Sequence, residues 1–107
     1  MAAKALSPVE YLRQHSADAA AAFQALRKAV VAAGPLDSTT CELITLGALV
    51  TCESESSFKT HARRLKHDGV PLTAMRQAVL VTFGASTTFA QVNAGLHWID
   101  DVGAEAD

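Results

Sequence analysis

Along this chain the apolar positions recur at helical spacing and strand signals are absent, so the pattern predicts helices joined by Gly- and Pro-punctuated turns. Ser7-Pro8 opens the first helix, over roughly 7–14, with serine as cap and proline at the first helical position. Ser16 caps a second helix running to about Ala33. Its apolar stripe includes Phe23, Leu26 and Val30, and Gly34-Pro35 stops it. Asp37 or Ser38 caps a third, over 38–50, whose run TCELITLGALV is apolar nearly all round and is expected to be buried on several sides. A fourth and more polar helix covers 53–68 and ends at Asp68-Gly69. Pro71 opens a fifth, with Leu72, Met75, Val79 and Phe83 on one stripe, broken at Gly84. Ser86 or Thr87 starts a sixth, with Phe89, Val92, Leu96 and Ile99 facing inward. The closing GAEAD is expected to fray. The whole reads as an all-α bundle of about six helices: one domain over 1–107, with an ordered core over 6–100 and a frayed tail over 101–107.

Composition narrows the classes. A chain of 107 residues holds one core and little more. With 50% hydrophobic residues, disorder of the central region is excluded. A net charge of −2 and few aromatics argue against nucleic acid or an anionic membrane as partner. No apolar run approaches the roughly 20 residues that a membrane span needs. The start MAAKALSPVE lacks the apolar run of a signal peptide, so a cytoplasmic protein is expected. Cys41 and Cys52 fit a reducing compartment. On one helix their Cα atoms would lie about 16 Å apart, whereas a disulfide tolerates no more than about 7 Å. The third and fifth helices are more apolar than so small a bundle covers alone. Burial in a homo-oligomeric interface is therefore expected ahead of tight alanine-rich packing.

Chemistry concentrates in CESESSFKTH, residues 52–61. Ser54, Ser57 and His61 stand at i, i+3 and i+7 and share one helical face. They lie at a helix start, whose unpaired N–H groups and dipole favour an anion. Glu42, in the first turn of the apolar third helix, is costly there without a partner, and a Glu facing a His is a proton-transfer pair. Taken singly, the serines are caps, His61 is a hydrogen-bonded structural histidine, and Glu42 is placed by the helix dipole. Lys59, Arg63, Arg64 and Lys66 form either a solvated face or a cationic rim for a carboxylate substrate. Asn93 and His97, with Trp98 nearby, are further candidates for a pocket wall or a subunit contact. No His/Cys spacing suits a metal, and no G-x-S-x-G elbow supports a serine triad.

The run ELITLGALVTCESESSFKTHARRLKHDG, from Glu42, resembles the carboxymuconolactone decarboxylase / alkylhydroperoxidase D-like (AhpD-like) family. Its redox members carry E-x11-C-x2-C-x3-H, and the same spacing here gives Glu42, Ser54, Ser57 and His61. GPLDSTTCEL and TFGASTTFAQVNAGLHWIDD are similar to the flanking segments, so the resemblance spans roughly 11–100. It implies an AhpD-like helical bundle assembling as a trimer or hexamer. The departure is as informative as the match. Two-thiol chemistry needs thiolates, and a serine hydroxyl cannot cycle between oxidised and reduced forms. Phe58-Lys59-Thr60-His61 instead resembles the F-[RK]-x-H pattern of the decarboxylase-like branch, which uses no thiols and no cofactor or metal.

Three readings follow. The first is a cofactor-free lyase, isomerase or hydrolase on a carboxylated or lactone-type substrate, with Glu42 and His61 as the acid–base pair. Ser54, Ser57, Lys59 and Arg63 would bind the substrate. The second is a weak thiol peroxidase working through Cys52. The third is a non-catalytic oligomeric ligand-binding or scaffold protein.

Overall fold

The computed structural model describes residues 6–106. Residues 1–5, the beginning of the segment read above for a targeting signal, and Asp107, the last residue of the expected frayed tail, lie outside them. Among the described residues the chain is all-helical, with six helices and no strand beyond one isolated bridge between Phe83 and Thr87. It divides between Asp37 and Ser38 into two compact units.

The first unit is a helical hairpin of α1 (Pro8–His15) and α2 (Ala17–Val31). One residue, Ser16, serves both helices. Its N–H closes α1 on Leu12 O, and its hydroxyl caps α2 by accepting from the Ala19 N–H at 3.1 Å. Ala20 is the buried residue of the hairpin. The stripe Phe23, Leu26 and Val30, expected to face a core, is exposed instead. An eight-residue α1 with a polar sequence offers nothing to cover it.

The second unit packs α3 (Ser38–Thr51), α4 (Glu55–His67), α5 (Leu72–Leu80) and α6 (Phe89–Ala104) around one core. Phe58, Leu46, Leu65, Met75, Ile99, Val50, Val79 and Val102 are its largest fully buried side chains. Burying each stabilises the fold by about 1.5–3 kcal/mol, before chain entropy is set against it. Helix α6 crosses closely over α3 and α5 at Gly95, where a Cβ would meet Val50 Cγ2 at 2.7 Å and Val79 Cγ1 at 3.1 Å.

Two turns set the ends of α4. At each, the chain leaves a helix through a Schellman motif: a residue in the left-handed region, with paired bonds back to the last turn. After α4 that residue is Gly69, at φ +83, with Gly69 N–H on Lys66 O and Val70 N–H on Leu65 O. After α3 it is Glu53, at φ +57, with Glu53 N–H on Val50 O and Ser54 N–H on Leu49 O. The second turn reverses the chain so that α4 packs back on α3.

Three expectations are corrected. Helix α5 ends at Leu80 rather than carrying Phe83 on its stripe. The Thr82 hydroxyl donates to Val79 O at 2.6 Å and pairs with Thr87, and Gly84 at φ +86 turns the chain outward. Phe83 and Phe89, both expected inside, are therefore exposed and meet edge-on at 5.4 Å. The cap of α6 is Thr88, in a capping box with Gln91, rather than Ser86 or Thr87. Fraying does not begin at Asp101. Val102 is buried, α6 continues to Ala104, and Arg63 and Lys66 hold Glu105. Helix α3, by contrast, is left partly uncovered by its own chain, as its surplus of apolar residues predicts: Leu46 and Val50 are buried, whereas Ile44 is 57% exposed.

Candidate active site

Helix α4 has three working faces. Phe58, Ala62 and Leu65 enter the core. Lys59, Arg63 and Lys66 point to α6. There Lys59 Nζ pairs with Asp101 at 3.1 Å as well as with Glu55 at 2.9 Å on its own helix. Arg63 forks onto the Glu105 carboxylate through Nε and Nη2, both at 2.8 Å. Lys66 Nζ donates to the backbone carbonyls of Val102 and Glu105. The hydrogen bond to Glu55 is the main influence raising Lys59 above its ordinary value, and the bond to Glu105 does the same for Arg63.

The third face carries Ser54, Ser57 and His61, and α3 supplies the residue opposite. His61 Nδ1 and Glu42 Oε2 are 2.6 Å apart, with both side chains mostly buried at 18% and 15% exposure. An ionised carboxylate only accepts, so Nδ1 is the donor and Nε2 is left as the available nitrogen. Nε2 has no hydrogen-bond partner among the described residues. The second Glu42 oxygen, Oε1, accepts from Arg64 Nη1 at 3.3 Å. Glu42 therefore accepts from two partners on successive turns of α4, His61 and the Arg64 guanidinium, which answers the cost of placing a carboxylate on an apolar helix.

Ser54 stands at the N-cap of α4, yet its side chain makes no cap hydrogen bond. Ser57 lies one turn on, and one turn before His61. Both serines are half-buried, and neither hydroxyl has a partner among the described residues. Reading them as simple caps does not account for this arrangement. Two unpartnered hydroxyls thus share a helical face with an open imidazole nitrogen, groups whose chemistry suits binding an oxygen and moving a proton.

Cys52 lies off this face, exposed in the turn after α3. Its thiol is placed to donate to Ala48 O at 3.3 Å or Leu49 O at 3.6 Å. Cys41 is half-buried, and neither cysteine is in a disulfide. Asn93 and His97 are exposed on α6, while Trp98 packs edge-on against Phe58 at 5.2 Å. Among the described residues no group of His, Cys, Asp or Glu is arranged to hold a metal ion. Among the described residues no helix is long and apolar enough to cross a membrane.

An open groove of about 460 Å³ lies elsewhere, lined by Thr40, Ile44, Gly47 and Thr51 of α3 and by Val81 and Thr82 beyond α5. At about 100° per residue Glu42 stands on the opposite side of α3 from that lining. The groove is apolar with scattered hydroxyls and contains none of Glu42, Ser54, Ser57 or His61.

The fold and the spacing together fit one family, whose model, described as the carboxymuconolactone decarboxylase family, matches residues 17–101. The chain belongs to the carboxymuconolactone decarboxylase family. The match contains the whole constellation, from Glu42 through Arg64. No curated protein and no solved structure gives a significant match to the chain.

Sequence reasoning grouped Glu42, Ser54, Ser57 and His61; the structure brings Glu42 and His61 into contact, and the two serines share the His61 face of α4. It grouped Arg64 with the other cations of the helix and missed its place. The available signal was spacing, since 54, 57, 61 and 64 continue one stripe while 59, 63 and 66 form another.

Proposed function

We propose that this protein is a cofactor-free acid–base enzyme of the decarboxylase-like branch, acting on a carboxylated or lactone-type small molecule. The 2.6 Å contact between Glu42 and His61 carries the reading, because it leaves Nε2 unpartnered on the helical face that also carries two open hydroxyls. In a decarboxylation the carboxylate's C–C bond breaks and its electron pair stays on the substrate carbon. CO2 leaves, and His61 delivers a proton to that carbon from Nε2. Nδ1 meanwhile remains hydrogen-bonded to the Glu42 carboxylate, which keeps the ring in place, and solvent returns the proton. Ser54 and Ser57 hold a carbonyl or lactone oxygen as charge grows on it. The enzyme works in the cytoplasm as a trimer or hexamer, with neither nucleic acid nor membrane as partner.

Turnover of a panel of carboxylated lactones, followed by CO2 release, tests this. His61→Ala and Glu42→Gln are each expected to lower kcat by about 10²–10⁴. Unchanged turnover in His61→Ala would sink the proposal.

A further inference from the structure

Resting on that reading of the site, we infer that Arg64 is the residue that recognises a carboxylate on the substrate. Three observations converge on it. The first is position: Arg64 continues the stripe of Ser54, Ser57 and His61 by one turn, so it follows His61 on the same face of α4. The second is occupancy. Lys59 lies between Glu55 and Asp101, Arg63 forks onto Glu105, and Lys66 donates to two carbonyls of α6. Among the described residues the Arg64 side chain has one polar partner, Glu42, reached from Nη1 at 3.3 Å, and it is 53% exposed. The rest of its planar fork of N–H donors is open to an incoming anion, and that fork matches a carboxylate in two-point geometry.

The third is anchoring. Glu42 touches Arg64 through Oε1 and His61 through Oε2, so one carboxylate fixes both groups relative to each other. A substrate carboxylate seated on Arg64 is thereby placed at a defined distance from Nε2. The group held at Arg64 is one that the substrate retains, because pairing a carboxylate with a guanidinium stabilises it against loss as CO2. Arg64 therefore sets specificity by charge and orientation, while proton transfer belongs to His61.

Binding of paraconate, a simple carboxylated γ-lactone, and of its neutral methyl ester tests the assignment. The readout is the His61 imidazole signal in ¹⁵N-edited NMR of the full-length protein. Wild type is expected to bind paraconate about tenfold or more tightly than the ester. Arg64→Gln should erase that preference by weakening paraconate and leaving the ester as it was, and Arg64→Lys should restore part of it. Equal weakening of both ligands in Arg64→Gln would mean that Arg64 only supports the local structure, and would overturn the inference. So would paraconate binding as in wild type by that variant, or no perturbation of His61 by paraconate in wild type. None of these outcomes touches the acid–base reading, which stands or falls on turnover by His61→Ala.

Discussion

Glu53 is a residue in an uncomfortable place for a reason that can be stated. A side chain at φ +57 brings Cβ close to the following carbonyl, at a cost of roughly 1–2 kcal/mol that glycine avoids. The Glu53 side chain has no partner among the described residues to offset that cost. Gly69 fills the equivalent position after α4. Glu53→Gly adds about 0.4–1 kcal/mol of unfolded-chain entropy, so a net gain on the order of 0.5–1 kcal/mol is expected, and the melting temperature should rise by a few degrees. A lower melting temperature would show that the glutamate side chain supports the turn. The same scale explains what was legible around it. Glu42, Ser54, Ser57 and His61 could be recognised together because their spacing places the last three on one helical face. Arg64 was obscured because four cations in eight residues read as one charged surface until their partners on α3 and α6 are known.

Helix α4 is fastened on two sides, by Glu42 of α3 and by the acidic end of α6. The α6 side contains a pair with a readable pH dependence. The hydrogen bond to Glu55 raises Lys59 most, partial burial opposes it, and Asp101 adds to it, leaving the ammonium above its ordinary 10.5. A base whose folded value is raised contributes its full stabilisation below the unfolded value and loses it as pH climbs through the folded one. Lys59→Met is therefore expected to cost about 0.2–1 kcal/mol near neutral pH. In urea unfolding its difference from wild type should vanish well above pH 10.5. A difference that persists into strong alkali would assign the loss to packing of the lysine stem. Element boundaries followed the sequence where caps and stops are local, as at Ser7, Ser16 and Gly69. They departed where a tertiary bond decided: Thr82 and Thr87 shortened α5, and the Arg63–Glu105 fork extended α6 into a tail whose composition alone suggested fraying.

On the scale of the whole molecule, much apolar surface is left over. Ile44 is 57% exposed and Val81 64%, and both line the groove on α3. The homo-oligomer proposed above would cover apolar surface of this kind. Sedimentation equilibrium is expected to find wild type as an oligomer and Ile44→Asp shifted toward monomer. A wild-type chain that sediments as a monomer would leave the groove to another use. The all-α architecture was legible because periodicity is a property of single segments. The surplus on α3 was legible too, in a run apolar nearly all round, but the exposed face of α2 was not, because what covers a helix depends on contacts that its own periodicity does not specify.

Helix α3 presents Glu42 on one side and the groove on the other, and a helix is only about 10–12 Å across. Whatever grips the groove also sets the roll of the helix, and with it the aim of the Glu42 carboxylate at His61. In kinetic terms, a subunit seated there in the proposed oligomer would make the proposed activity a function of protein concentration. Rates per subunit would fall on dilution through the assembly midpoint, with every residue of the site still in its own chain.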